Sequence, residues 1–350
     1  MNPIVVLGVG AALVAAVAVL ALVRPVLSDR MAWPALGAAV GTAVIVIAVG
    51  RLLGVASLEF LIGISALALP VLLLLEAAAV ASGADAFARW LLMLSWGVVV
   101  FPVSALLPLL LTAGCLAPDC GFEDFGAALP LLVSSSAFVL LAWLPSGVHE
   151  RAQLDRPSNR RAVIAGAVLW ASTAVWLVHL EGAIDEFTVR ILISAIVGPA
   201  AGAVGWLLVD VLRNTRRTTG RSLMLGLVAG MVVILPGAVS VGLPWSPVVG
   251  VMGGGVAALV YPARGSGSGG LAARWGIAIL AAAGIGFLAP AISGDTVGVI
   301  FTARAAVLFV PLLAFFGVAG FSVAVSAPVW VLVRRHAARE RIPAQIVVDE

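Results

Sequence analysis

Long apolar runs dominate the pattern along the chain, and short segments rich in arginine, glycine or proline separate them. A run of about 20 apolar residues spans roughly 30 Å of hydrocarbon as an α-helix that rises 1.5 Å per residue. Eleven runs reach or approach this length: Ile4–Val23, Pro34–Gly50, Leu61–Ala81, Trp90–Ala113, Gly126–Pro145, Ala162–Leu180, Arg190–Leu212, Ser222–Gly242, Pro247–Tyr261, Trp275–Ile292 and Phe301–Val333. The pattern predicts an all-α polytopic membrane protein with 11 transmembrane helices.

Composition strengthens this interpretation and excludes several other classes. Hydrophobic residues make up 62% and charged residues 11% of the 350, whereas soluble domains average about 45–50% and about 25%. The basic residues are all arginine, which excludes phosphate-loop lysines and Schiff-base chemistry. No HExxH, paired CxxC or nucleophile elbow occurs. We therefore expect no enzyme activity, no cofactor and no metal.

The distribution of arginine predicts the orientation. Nothing basic precedes the first run and Arg24 follows it, so this run is predicted to be a first span with its N-terminus outside rather than a cleaved signal. With that orientation only Arg51, Arg190 and Arg304 of the 20 basic residues fall outside. The C-terminus is then cytoplasmic and the protein lies in the plasma membrane. Because membrane orientation explains the net charge of +3, nucleic acid is not expected as a partner.

The longest polar connection, "SGVHERAQLDRPSNRR" over 146–161, leaves five runs before it and six after it. A half with five spans makes the next half start on the opposite side of the membrane, as in transporters built from inverted repeats. We predict one domain over 1–350. It divides into a first repeat over about 4–145, an inner loop over 146–161, a second repeat over about 162–293, a last helix over about 301–333 and a cytoplasmic tail over 334–350.

Three stretches then resemble motifs of the ammonium transporter, methylammonium permease and Rhesus protein family. "DFGAALPLLVSSS" is similar to the family's D-F-A-G-G-x-x-V-H-x-N-A-G at the start of its fifth span. "GAVGWLLVDVLR" resembles a small-residue run with Gly-Trp, an acid and a basic exit, and "GLVAGMVVILPGAVSV" resembles G-A-x-A-G-L-V-x-x-T-P-A-x-G. The matching positions are Asp124, Phe125, Gly205, Trp206, Asp210, Arg213, Gly226, Ala229, Gly230, Val232 and Pro236. The resemblance implies a 5+5 inverted repeat plus one long C-terminal helix, assembled as a homotrimer.

The resemblance also implies where a pore lies and how it is altered. Asp124 and Phe125 correspond to the outer vestibule, where the family's aspartate caps a helix end. The two pore histidines of the family fall at Leu132 and at Arg274 or Trp275. The other altered pore-lining positions are Leu67, Trp176 and His179 near the family's phenylalanine gate, and Leu235 in place of the threonine of Thr-Pro.

Leucine at position 132 cannot replace the hydration of a cation, and an isolated ion in a medium of low dielectric loses tens of kcal/mol, on the order expected from Born solvation. Ser134, Ser135 and Ser136 follow within one turn. They are candidates for a polar lining, or small residues that bond their own carbonyls at i−4. Asp124 is either a cap alone or also a direct cation contact.

Several other polar residues have alternative interpretations. His179 is either a pH-sensitive gate or an interfacial histidine bonded to Glu181 or Asp185. Glu76, five residues from the inner end of its run, is expected to reach Arg24 or Arg30, with inner-pore lining as the alternative. Arg190 and Arg304 are expected to pair with acids from a set consisting of Glu181, Asp185, Glu186 and Asp295, with anion recognition as the alternative. "GVMGGGVAAL" in the ninth run predicts a face for close helix packing.

Cys115 and Cys120 lie in a predicted outer loop, where an oxidising compartment permits a short disulfide. Free thiols are the alternative.

Two functions remain compatible with the sequence. The first is a channel or transporter for ammonium, ammonia or another small solute through an altered pore. The second is a non-conducting trimeric sensor or scaffold that kept the fold and uses its arginine-rich inner surface to contact a cytoplasmic regulatory protein. A membrane-embedded transferase is disfavoured because catalytic polar groups do not cluster near either face.

Overall fold

A computed structural model of the chain describes residues 3–27, 32–54, 56–81, 84–114, 122–140, 159–182, 184–214, 219–261, 271–295 and 298–339. Within these ranges the chain is helical apart from turns, short connections and one isolated β-bridge between Val241 and Gly294. The α-helices are α1 Pro3–Leu27, α2 Trp33–Leu53, α3 Leu58–Ala66, α4 Ala68–Ala81, α5 Ala86–Leu94, α6 Phe101–Gly114, α7 Ser134–Leu140, α8 Asn159–Glu181, α9 Glu186–Leu212, α10 Thr219–Ile234, α11 Trp245–Val260, α12 Leu271–Ser293, α13 Val299–Thr302 and α14 Phe309–Arg339.

Each apolar run predicted from the sequence overlaps a helical segment. In the described part of the chain, nine helical segments are long and apolar enough to cross a membrane. Two further apolar helices, Leu129–Leu140 and Trp245–Val260, are shorter. The chain is therefore an all-helical, multi-pass membrane protein, while the count of eleven spans and the orientation stay predictions.

Prolines account for the places where long helices depart from regular geometry. The third run is divided at Leu67 into α3 and α4, three residues before Pro70. A wide π-helical stretch, Ser95–Val100, connects α5 to α6 just before Pro102. At the end of α10 the chain tightens into a 3₁₀ turn that contains Pro236. Proline has no N–H to donate to the carbonyl four residues earlier and its ring crowds that carbonyl, so the helix widens or breaks there.

The last apolar run is not the single helix that the sequence predicted over about 301–333. Ala303 adopts the left-handed conformation with φ 55° and donates its N–H to the Val299 carbonyl, which ends α13 after Thr302. A 3₁₀ turn over Ala305–Leu308 follows, and α14 then continues to Arg339. Apolarity alone marks the run as membrane-spanning but does not reveal the break in the helix near its start.

Glycines allow α9, α10 and α11 to approach at backbone distance. A Cβ added to Gly254 would lie 2.0 Å from the Gly202 carbonyl oxygen, and one added to Gly250 would lie 2.4 Å from the Gly198 carbonyl oxygen. Gly230 meets the same stretch of α9 from α10. The packing face predicted from the glycine-rich ninth run is therefore confirmed, and it holds the second half of the bundle together by close helix contact.

Glu76 is completely buried near the end of α4 and does not pair with Arg24 as predicted, while Arg30, the other predicted partner, lies outside the described residues. Its carboxylate pairs with Arg89 of α5, with Arg89 Nε at 3.1 Å from Oε1, and its Oε2 accepts the Ala35 N–H at 2.8 Å. Arg89, itself buried, comes one turn after the N-cap of α5 and reaches α4 from inside the bundle. We call the end of the bundle that contains Glu76, Arg89 and Ala35 the Glu76 end.

The buried apolar residues form two clusters. The first cluster contains side chains from α1 to α7, Trp176 of α8 and side chains from the last part of α14. The second contains side chains mainly from α8 to α12 and from the first part of α14, together with residues that immediately precede α7. Leu132 packs against both clusters. It therefore lies at the seam between the two halves of the bundle.

We expect Gly254→Ala to destabilise the protein by about 2 kcal/mol or more, because the added methyl group meets a backbone carbonyl that cannot move without separating α11 from α9. Thermal unfolding of the purified protein in detergent measures this loss. Gly320→Ala in α14 is the matched control, since nothing lies within 4 Å of the added Cβ. Equal effects of the two substitutions would contradict the proposed packing.

Removing one partner of the buried pair should be more harmful than removing both charges. We expect Glu76→Gln or Arg89→Gln alone to cost about 3–5 kcal/mol, because each breaks a buried ion pair by removing one of its two members. The double variant should recover part of this loss because it leaves two neutral groups that can bond to each other. Thermal unfolding of all three variants tests the coupling, and additive losses would show that the pair contributes nothing as a pair.

Candidate functional site

Asp124 caps the helical segment that carries Leu132. Its two carboxylate oxygens accept the N–H groups of Ala128 at 2.6 Å and Leu129 at 3.0 Å. A helix N-terminus leaves such donors without helical partners, and a carboxylate there is also favoured by the helix dipole. This geometry supplies the cap that the family resemblance implied.

The residues after Asp124 join the two halves of the bundle through backbone hydrogen bonds. Phe125 donates its N–H to the Pro236 carbonyl at 2.9 Å, and Gly126 donates to the Leu235 carbonyl at 2.8 Å. A Cβ on Gly126 would lie 2.7 Å from that same Leu235 oxygen, so only glycine fits this close approach. The side chain of Leu235 is buried in the second cluster. We call the region around Asp124, Phe125 and Gly126, together with Arg190 and Asp295 described below, the Asp124 end.

Leu132 follows in a π-helical turn, Leu129–Val133, that leads into α7. Its side chain is half-buried, whereas Leu131 and Val133 on either side are buried. Leu67 is buried in the first cluster, at the break between α3 and α4. The two predicted pore positions in the first half, Leu67 and Leu132, thus have apolar surroundings.

The second predicted histidine position lies at the beginning of α12. Trp275 is half-buried, packs against the second cluster and contacts the Tyr261 ring edge-on, with ring centroids 6.4 Å apart. Arg274 is also half-buried. A Cβ on Gly276, the next residue, would lie 3.0 Å from the Ser136 carbonyl oxygen, so α12 packs directly on α7 at this level. Neither residue supplies the imidazole that the family carries.

Trp176 and His179 lie side by side on α8, with ring centroids 5.3 Å apart. Trp176 donates its indole N–H to the Gly126 carbonyl at 3.4 Å, which connects α8 to the segment after Asp124. The His179 ring is buried against two glycines. Its Nε2 atom would lie 2.4 Å from a Cβ on Gly8 and 3.3 Å from a Cβ on Gly63. This packing fixes the ring between α1, α3 and α8.

The three serines use much of their bonding capacity within the protein. The Ser134 and Ser135 hydroxyls each donate at 2.5 Å to the carbonyl four residues earlier. Ser134 also accepts the Trp96 indole N–H at 3.2 Å, and its carbonyl accepts the Ser322 hydroxyl at 2.5 Å. Ser136 is buried. These contacts favour helix packing over a wet lining for Ser134, while Ser135 remains half-buried on the same face as Leu132.

Sequence reasoning missed a polar cluster at the Asp124 end. Arg190 of α9 forms an ion pair with Asp295 and donates from Nη2 to the Ser240 carbonyl at 3.2 Å. The pairing of Arg190 with one of the predicted acids is therefore confirmed. Glu123 also reaches this cluster, beside Ser240 and Arg190. The available signal was the pair of adjacent acids at 123 and 124, but the sequence did not indicate which distant residues they meet.

Both acids at 123 and 124 lie in a desolvated environment that favours their neutral forms. Burial raises the pKa of Glu123 from 4.5 to about 7, with the neighbouring Asp124 raising it further and Ser240 and Arg190 lowering it. Burial also raises the pKa of Asp124 from 3.8 to about 7, against the effect of its two backbone N–H donors. Each group therefore changes charge near neutral pH rather than near pH 4.

Two predicted features lie wholly or largely outside the described residues. They are the cysteine pair Cys115 and Cys120, and the polar connection over 146–161. Among the residues that the structure describes, no group of three or more His, Cys, Asp or Glu side chains is arranged to hold a metal ion.

Comparison with known proteins finds similar solved structures but no similar sequence. No protein-family model and no curated protein sequence matches the chain. The structure is similar to that of Mep2 from Candida albicans, with a TM-score of 0.75 and 17% identity over 98% of this chain and 85% of that one. Mep2 from Saccharomyces cerevisiae gives a TM-score of 0.70 and 17% identity over 93% and 85% of the two chains.

A third solved structure, Rh50 of Nitrosomonas europaea, has a TM-score of 0.68 and 13% identity over 96% of this chain and 90% of that one. That protein is described as a member of the Rhesus protein family of channels. At these identities the likeness concerns the backbone rather than the chemistry of individual side chains. The chain has the fold of the ammonium transporter, methylammonium permease and Rhesus proteins, as its three motifs predicted.

Proposed function

We propose that this protein is a membrane channel or transporter for a small solute, ammonia or a molecule of similar size, and that the solute crosses in its uncharged form. The position of Leu132 carries the proposal. This side chain packs against both core clusters at the seam of a bundle with the fold of Mep2 and Rh50. A path between the two halves would have to pass it.

The apolar side chains along that passage determine whether a charged or an uncharged solute can cross. An isolated ion loses tens of kcal/mol, on the order given by Born solvation, when it enters an apolar medium without new partners. An uncharged molecule such as ammonia loses only about 1–3 kcal/mol for each hydrogen bond left unmade. Leu132, Leu67 and Leu235 offer no polar side-chain partner. The difference between these costs is large enough to reject the ion while it permits slow passage of the neutral form.

A non-conducting role remains the alternative, and the same residue favours it. In the predicted alignment Leu132 and either Arg274 or Trp275 stand where the family has its two pore histidines, so the protein would act as a sensor or scaffold whose arginine-rich surface binds a cytoplasmic regulatory protein. Arg24, Arg160 and Arg213, exposed at the helix ends on the predicted inner side, support such a surface. In both cases we propose an outside N-terminus, a plasma-membrane location and a homotrimer, as the family resemblance implies.

Flux measurements on reconstituted vesicles separate the two roles. If the protein conducts, an ammonium gradient should change the pH inside vesicles faster than in protein-free vesicles, with no electrical current, because the moving species is uncharged. Leu132→Trp should reduce this flux at least about tenfold by adding bulk at the seam.

Leu208→Trp is the matched control, since Leu208 is exposed on the outer face of α9. It should leave the flux unchanged. Wild-type flux at the level of protein-free vesicles would reject conduction of this solute and leave the scaffold role. Flux that Leu132→Trp does not reduce would show that the path lies elsewhere.

A further inference from the structure

Three buried polar atoms at the Asp124 end form no hydrogen bond of regular geometry with the described residues, although the Ser240 hydroxyl approaches the Glu123 carboxyl closely enough to lower its pKa. They are Glu123 Oε1, Ser240 Oγ and Arg190 Nε. Such atoms are uncommon in folded proteins, because burial removes their hydrogen bonds to water and no protein group replaces them. The cost is about 1–3 kcal/mol for each atom. Here the three atoms come from three separate parts of the chain, and they belong to residues that already lie next to one another.

The three atoms are chemically complementary. A carboxylate oxygen accepts hydrogen bonds, while a hydroxyl and a guanidinium Nε–H both donate them. Arg190 uses its Nη2 atom for Asp295 and for the Ser240 carbonyl, which leaves the Nε–H available on the same planar group. The Glu123 carboxylate is therefore the acceptor that both of these donors lack.

We propose that Glu123 is a proton-controlled latch: the neutral carboxyl occupies the present arrangement, and the ionised carboxylate closes onto Arg190 Nε and Ser240 Oγ. This closure fastens the segment that precedes the Asp124 cap to the chain that follows α10. Charge drives the change, because a hydrogen bond between a guanidinium and an ionised carboxylate is roughly twice as strong as one between neutral groups.

The charged groups around Glu123 agree with this direction. Asp124 on its own segment opposes ionisation, Arg190 of α9 favours it, and Asp295 competes for Arg190. Because burial raises the pKa of Glu123 to about 7, the carboxyl keeps its proton below that pH and loses it as the pH rises through neutrality. The latch is therefore open in mild acid and closed in mild base, on the side predicted to face outside.

Closure would act on the backbone that forms the mouth of the bundle. Phe125 and Gly126 bond to the Pro236 and Leu235 carbonyls, and Ser240 lies a few residues beyond these acceptors. Fastening Glu123 to Ser240 and Arg190 adds a third connection between the same two segments. The amides of Phe125 and Gly126 should then exchange their hydrogens more slowly.

Hydrogen exchange of the full chain in lipid nanodiscs, measured at pH 6 and pH 8 and corrected for intrinsic exchange, tests this proposal. Protection of the Phe125 and Gly126 amides should rise about tenfold between the two pH values in the wild type. Glu123→Gln, which keeps the shape but cannot ionise, should show the same protection at both. Ser240→Ala removes one of the two donors and should reduce the rise to less than about threefold.

Glu186→Gln is the control, because Glu186 is an exposed carboxylate at the same end of the bundle and should not change the rise. Asp124 also titrates, but its effect falls on the Ala128 and Leu129 amides, which are read separately. If Glu123→Gln does not fold, Ser240→Ala, which keeps the Glu123 carboxyl, provides the test. A flat profile in the wild type, or a rise that survives in Glu123→Gln or Ser240→Ala, would overturn the proposal.

Discussion

Wherever a helix stops in lipid, its free amide and carbonyl groups must find partners inside the protein, and this requirement organises the bundle. The junction between the two halves is the clearest case. The turn before α7 and the 3₁₀ turn after α10 each leave peptide groups outside regular helix, and the bonds from Phe125 to Pro236 and from Gly126 to Leu235 satisfy them together. The peptide groups that each turn leaves without helical partners therefore bond to each other and connect the two halves. Because Leu132 follows this connection by one to two turns, the same bonds also fix where the seam lies.

Buried charge obeys a similar requirement, and the two ends of the bundle meet it differently. At the Glu76 end the carboxylate has a guanidinium and a backbone amide as partners, so the group is fully engaged. At the Asp124 end the cap engages both oxygens of Asp124, but Glu123 beside it keeps one oxygen without a partner among the described residues. A paired charge stabilises one arrangement, whereas an unpaired group that can gain or lose a proton allows two. Rigidity at one end and adjustability at the other therefore follow from the partners available.

Much of the fold was predictable because the signals are local or compositional. Apolar runs of helix length identify the membrane helices, and the glycines of the ninth run identify a close packing face. Long-range pairings were not predictable in this way: Glu76 meets Arg89 rather than Arg24, since helix order in space decides which arginine lies beside α4. The break at Ala303 was also missed, because a left-handed alanine leaves no mark in hydropathy. The cluster of Glu123, Arg190, Ser240 and Asp295 draws on four separate segments, and no spacing in the sequence indicates that they converge.

The separation between a polar mouth and an apolar centre limits what each part of the molecule can control. In the proposed conductor the rate is set where hydration is lost, at Leu132, and titratable groups at the Asp124 end are too far from that point to solvate a solute there. They act instead on the backbone that leads to it. A mouth that changes with pH can therefore alter how often a molecule enters, while the leucine at the seam determines which molecule crosses. Selectivity and access are then separate properties of one passage, located on different turns of the same short segment between Glu123 and Leu132.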